Sequence, residues 1–167
     1  KQLPNEVGGI DACLPEDVPQ QMKALLTDYN KSCHKTFAEI LDFHVRFERI
    51  HPFQDGNGRI GRLLMFKECL ANNHVPFIIT DELKLFYYRG LREWGHINEY
   101  LTDTCLTAQD QYKALLSHFR IPFWDINKFH IKYKKAVLES VLGIQSITKL
   151  QNGFYKIFGI SIFYSLN

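Results

Sequence analysis

Paired cysteines, zinc-binding histidine spacings, long apolar runs and a strong charge bias are all missing from this chain of 167 residues. Its four cysteines, Cys13, Cys33, Cys69 and Cys105, are scattered and form no CxxC pair. That argues against a zinc ribbon or a disulfide framework and fits the reduced thiols of a cytoplasmic protein. The seven histidines show no HExxH spacing, which removes the zinc-protease reading. The Walker A spacing is absent too, so any phosphate site here is not of the P-loop kind. The longest uncharged stretch near the C-terminus, residues 157–167, is too short to span a bilayer. The opening KQLPNEVGGI has no apolar core of a signal peptide. Lys1 is not a natural start, so a fragment or a processed product is expected. Twenty Lys and Arg against 18 Asp and Glu leave a net charge of +2, which gives no case for nucleic-acid or membrane partners.

What is there reads as a compact all-α domain. Hydrophobic residues make up 46% of the chain, enough to build a core and exclude disorder. Helical spacing predicts five helices, over about 15–30, 35–50, 58–72, 80–94 and 99–119. In the third, Ile60, Leu63, Leu64, Lys67 and Leu70 are expected on one stripe; in the fifth, Leu101, Cys105, Ala108, Tyr112, Leu115 and Phe119. Pro52 disfavours helical geometry at His51 and ends the second helix. Before the first helix, Gly8-Gly9 between short strand-like segments predicts a small β-hairpin over residues 5–14. After Ile121 the composition changes: KFHIKYKK at 128–135 is basic, no acid follows Glu139, and Asn152-Gly153 is placed to turn a hairpin. The expected division is a domain over 1–123 and an extension over 124–167.

The chemistry lies in residues 51–62, HPFQDGNGRIGR. Gly56, Asn57 and Gly58 stand where a loop enters a helix, and backbone N–H groups at that point have no intrahelical acceptors. With the positive end of the helix they make an anion site, and glycine lets backbone approach a phosphate closely. Arg59 and Arg62, three residues apart, share a face and suit phosphate oxygens. Asp55 would repel a phosphate unless a cation stood between them, and Mg²⁺ takes one or two carboxylates plus phosphate oxygens. His51 at the mouth of the loop can take a proton from an alcohol near neutral pH. Phe53 belongs to the same nucleotide-binding loop but reads most simply as an apolar anchor pinning it to the core. Each residue alone has a plain structural reading: a turn, a helix end, a solvated face. Together, in this order, they specify transfer of a phosphorus group to a hydroxyl.

This window resembles the signature of the Fic (Fic/DOC) family, HPF-x-(D/E)-GNGR-x-x-R, at every specified position. VGG followed by PEDVPQQMKALL, and FERI ahead of His51, extend the likeness over about residues 5–121. The resemblance implies an all-α fold with a β-hairpin flap and an activity: transfer of AMP from Mg·ATP to a Ser, Thr or Tyr hydroxyl of a target protein. It implies that His51 is the general base, Asp55 the magnesium ligand, Gly56, Asn57 and Gly58 the phosphate cradle, and Arg59 and Arg62 the clamps, Arg62 nearest the γ-phosphate. Val7, Gly8, Gly9 and Ile10 would align the target in the flap. Adenine would sit against the helix bearing Tyr87 and Tyr88, one of which is expected in the core.

Many members of that family carry an inhibitory helix with the pattern (S/T)-x-x-x-E-(G/N). No glutamate of this chain is followed by Gly or Asn, so the pattern is absent. Such a helix would lie in a missing N-terminal part or on a separate small protein, and the chain itself is expected not to be self-inhibited. Two other readings remain open at this point: the same fold with other phosphate chemistry (phosphotransfer, transfer of another nucleotide, or removal of AMP), and a non-catalytic nucleotide-binding module.

Overall fold

A computed structural model describes residues 1–2, 6–7, 10–121, 148–150, 154–157 and 160–162, with side-chain surroundings for 1–2 and 12–121. The chain divides into two compact units, Lys1–Arg120 and Ile121–Asn167.

Five helices build the first unit: α1 Val18–Tyr29, α2 Phe37–Ile50, α3 Asn57–Ala71, α4 Lys84–Glu93 and α5 Glu99–His118. Before them, β1 Glu6–Val7 pairs antiparallel with β2 Ile10–Asp11, Val7 opposite Ile10. That ladder is too short to establish the expected flap. Gly8 and Gly9, which would turn it, lie outside the described residues.

α2 is the central helix. It starts at a capping box, in which the Glu39 N–H donates to Thr36 Oγ1 and the Thr36 N–H donates back to Glu39 Oε2. Two apolar clusters flank it. Ile40, Leu41 and Val45 join Met65, Cys69, Phe77, Tyr87, Trp94, Leu101 and Cys105 in one; Phe43, Phe47 and Ile50 join Val18 and Leu25 in the other. Serving both sides buries α2 almost all round, including two titratable residues, His44 and Glu48.

α3 is likewise shared, and this corrects its expected stripe. Its fully buried row is Asn57, Gly61, Met65 and Cys69, while Ile60 and Leu64 are half-buried against the second cluster. Gly61 lets α3 approach α2: a Cβ there would lie 2.2 Å from Glu48 Oε1. Gly90 does the same where α4 meets α5, since its Cβ would fall 2.6 Å from the Leu101 Cα. A 3-10 turn, Asp81–Leu83, precedes α4. On α5 the expected stripe holds through Ala108, but Leu115 and Phe119 are at least half exposed.

In the second unit, β3 Thr148–Leu150, β4 Phe154–Ile157 and β5 Ile160–Ile162 form an antiparallel sheet in that order, with Leu150 opposite Phe154. The expected Asn152-Gly153 turn and the basic segment 128–135 lie outside the described residues.

Candidate active site

The junction between α2 and α3 is built by two residues in left-handed backbone conformation. His51, with φ 50°, terminates α2, and Gly56, with φ 84°, opens α3. Asn57 locks the loop between them. Buried to 1% exposure, its side chain accepts from the Phe53 N–H at 2.8 Å and donates to the Phe53 carbonyl at 2.7 Å. Asn57 therefore holds the loop with its side chain and can face a ligand only through its backbone. Phe53 packs on Phe47, ring centroids 6.4 Å apart, as the anchor expected from the sequence.

His51 is half-buried, and its Nδ1 lies 3.2 Å from the Glu48 carbonyl. A carbonyl only accepts, so Nδ1 carries the proton and the lone pair sits on Nε2. Burial, which outweighs the opposing hydrogen bond to the Glu48 carbonyl, lowers the His51 pKa below its ordinary value and so favours the neutral ring. A neutral imidazole with a fixed tautomer is what a general base requires.

Asp55 and Arg59 stand at the rim, with side chains 92% and 70% exposed. Asp55 accepts from its neighbour's Gly56 N–H at 2.7 Å through Oδ1 and from Arg59 Nη2 at 3.1 Å through Oδ2. One amide of the expected cradle is thus taken by the loop's own carboxylate, which must rotate before that N–H can meet a phosphate. Asn57 and Gly58 open α3, where N–H groups lack intrahelical acceptors. Arg62 folds back over this turn, its Nη1 3.1 Å from where a Gly58 Cβ would stand. Among the described residues no group of three His, Cys, Asp or Glu could cage a metal. A magnesium ion entering with a nucleotide needs fewer protein ligands, and the exposed Asp55 carboxylate fits that demand.

Of the two tyrosines, Tyr87 takes the core role expected for at least one of them: it is buried at 1% exposure, and its hydroxyl lies 2.6 Å from His44 Nε2. Tyr88 beside it is 44% exposed and remains available. The side chains of Val7 and Ile10, like Gly8 and Gly9, are outside the described residues, although the Cys13 N–H just beyond β2 donates to Arg49 O in the last turn of α2.

Sequence reasoning passed over the layer beneath the loop. His44 and Glu48, one turn apart on α2, are buried at 1% and 4% exposure. Burial lowers His44 to about 4 and pushes Glu48 up to about 7. The signal was available: Glu48 stands where the periodicity of α2 asks for an apolar residue.

A model of the Fic/DOC family matches residues 2–69, which include α1, α2, the loop and most of α3. These residues belong to the Fic/DOC family. The Fic domain is similar to a protein adenylyltransferase Fic of Nematostella vectensis, 35% identical over 86 residues, which are 49% of this chain and 20% of that protein. It is similar to protein adenylyltransferase fic-1 of Caenorhabditis elegans, 32% identical over 88 residues, 51% of this chain and 17% of the relative. A probable protein adenylyltransferase of Aquifex aeolicus is 43% identical over 51 residues, 30% of this chain and 15% of its own length. The matches thus span a fifth or less of these relatives' lengths. No helix among the described residues is long and apolar enough to cross a membrane.

Proposed function

We propose that this chain is a protein adenylyltransferase, its Fic domain over about residues 1–123 moving AMP from Mg·ATP to a Ser, Thr or Tyr hydroxyl of a target protein. The observation that carries the reading is the His51 tautomer: Nδ1 held by the Glu48 carbonyl, Nε2 left as the base, at the mouth of a helix start flanked by Arg59 and Arg62. The family match and the names of the relatives support it.

In this reading His51 Nε2 takes the proton of the target hydroxyl. The oxygen attacks the α-phosphorus, the bond to the β-phosphate oxygen breaks, and pyrophosphate leaves. The first backbone amides of α3 and the guanidinium groups of Arg59 and Arg62 hold the phosphate chain, with Arg62 at the γ-phosphate. Asp55 is the carboxylate for the magnesium ion that arrives with ATP and offsets its charge. Arg59 must release Asp55 for this, which costs little because an exposed ion pair is weak. Tyr88 is the remaining tyrosine for adenine. The paired strands at residues 6–11 are the place where an extended target segment would align, and the cytoplasm is the proposed compartment.

Incubation with α-labelled ATP, Mg²⁺ and a cell lysate tests the reading. Label should move to protein and gain the mass of AMP rather than of phosphate, and auto-modification should be visible because no inhibitory pattern is in the sequence. Intact nucleotide binding without any transfer by the unmutated chain would defeat it.

A further inference from the structure

Glu48 is a carboxylic acid in the wrong place for packing alone. It is 4% exposed, and its Oε1 lies against the Gly61 backbone with no hydrogen-bond partner among the described residues. Such a group is costly unless something compensates it. The titratable and charged groups that face it come from three helices: His44 on α2, Arg62 on α3 and Tyr87 on α4. His44 and Tyr87 are bonded to each other at 2.6 Å, and burial keeps both neutral. Arg62 is the cation of the group, and its attraction opposes the effect of burial on Glu48. It is also the residue that folds over Gly58 at the start of α3. Glu48 Oε1 packs under α3 at Gly61 and the guanidinium lies over Gly58 one turn earlier, with no ion pair within 4.0 Å between them, so Arg62 acts on the buried carboxyl through space and through the Tyr87 hydroxyl that it hydrogen-bonds.

We infer that Glu48 is a positioning residue for Arg62: its buried carboxylate is the interior counter-charge that holds the guanidinium over the anion site, and it takes up a proton from solvent when a nucleotide phosphate replaces it as that partner. The inference rests on the nucleotide reading of the same loop. The physical reason is charge balance in a low-dielectric layer. An ionised Glu48 is tolerable while the positive charge of Arg62 acts on it. Once phosphate neutralises Arg62, burial favours the acid form. Nucleotide binding is then coupled to proton uptake, and affinity falls as pH rises through the neutral range.

Carbon-13 labelling of glutamate carboxyls follows Glu48 directly, its resonance identified by loss in Glu48→Gln. In the ligand-free protein its titration midpoint should rise by about one pH unit in Arg62→Ala and stay near the wild-type value in Arg62→Lys, which keeps the charge. Saturating Mg·ATP should raise the wild-type midpoint in the same direction. Calorimetry in buffers of different ionisation enthalpy should show proton uptake on Mg·ATP binding that is lost in Glu48→Gln; titration of ATP itself is common to both proteins and cancels in the difference. An unmoved midpoint in Arg62→Ala overturns the pairing without any reference to nucleotide. Binding of Mg·ATP that leaves the Glu48 midpoint unmoved, or equal proton uptake in Glu48→Gln, overturns the coupling. Failure of Mg·ATP to bind at all removes the nucleotide reading and the coupling with it, while the ligand-free comparison still reports on the pairing.

Discussion

At the rim of the loop, Asp55 and Arg59 hold each other with side chains 92% and 70% exposed, whereas on the underside Asn57, Glu48, His44 and Tyr87 are each 4% exposed or less. The rim carries charges that water already solvates, so they rearrange at little cost when a ligand arrives. The underside carries polar groups cut off from water, so the partners they do have are held firmly and fix what lies above them. Asn57 fixes the Phe53 backbone, the Glu48 carbonyl fixes the His51 tautomer, and Gly61 fixes how closely α3 approaches α2. Chemistry is displayed at the rim, and its geometry is set underneath.

The sharpest way to break that comparison is at His51, which belongs to both layers. His51→Ala should cut AMP transfer by about 10²–10⁴-fold while the Mg·ATP dissociation constant changes by less than about threefold, read by label transfer and by calorimetry. Parallel loss of both would mean that the loop had collapsed. A base at His51 needs the neutral ring, so the transfer rate should fall on acidification; because burial lowers the His51 pKa, that fall should come below the ordinary histidine range.

Next come the buried anchors. Asn57→Ala removes both side-chain hydrogen bonds to the Phe53 backbone and should cost about 2–4 kcal/mol, seen as a lower Tm together with weakened nucleotide binding. Gly61→Ala drives a methyl into Glu48 and should cost about 1–3 kcal/mol. Stability unchanged in either variant would show the underside to be softer than its packing implies.

Glu48→Gln gives a smaller effect of opposite sign. The folded-state pKa of Glu48, about 7, lies above its ordinary value, so the acid form contributes stability that is full below about 4.5 and lost as pH rises through about 7. Glutamine does not titrate. The variant should match wild type at pH 4.5 and be more stable at pH 8 by on the order of 1–3 kcal/mol, measured by chemical denaturation at both pH values.

The smallest stability effect belongs to the rim. Asp55→Asn and Arg59→Ala should each leave Tm within about 1 °C of wild type, yet weaken Mg·ATP binding and transfer. A large fall in Tm would place these residues in the structural layer instead.

Much of this was legible in the sequence. Periodicity located all five helices of the first unit, Pro52 ended α2, and the turn residues from Gln54 to Gly58 marked the junction between α2 and α3. Misreadings cluster where one helix serves two cores. α3 was given a single stripe, but Met65 and Cys69 face one cluster while Ile60 and Leu64 face the other. Tyr87 and Tyr88 looked equivalent because adjacency in a helix says nothing about which neighbour lies inward until α2 and α5 are in place. For Asn57 the sequence suggested a role for the backbone N–H only; the task of its side chain stayed hidden because its partner, the Phe53 backbone, comes within reach only when the loop closes.

By itself the sequence determined where the helices run, which residues carry charge and which backbone positions favour glycine, since these follow from local periodicity, side-chain chemistry and allowed dihedral angles. Only the tertiary structure decided which nitrogen of His51 carries the proton, that the Asn57 side chain holds the Phe53 backbone, and that Glu48 is buried against Gly61. Those outcomes depend on desolvation and on partners brought from other helices, and neither exists until the chain has packed.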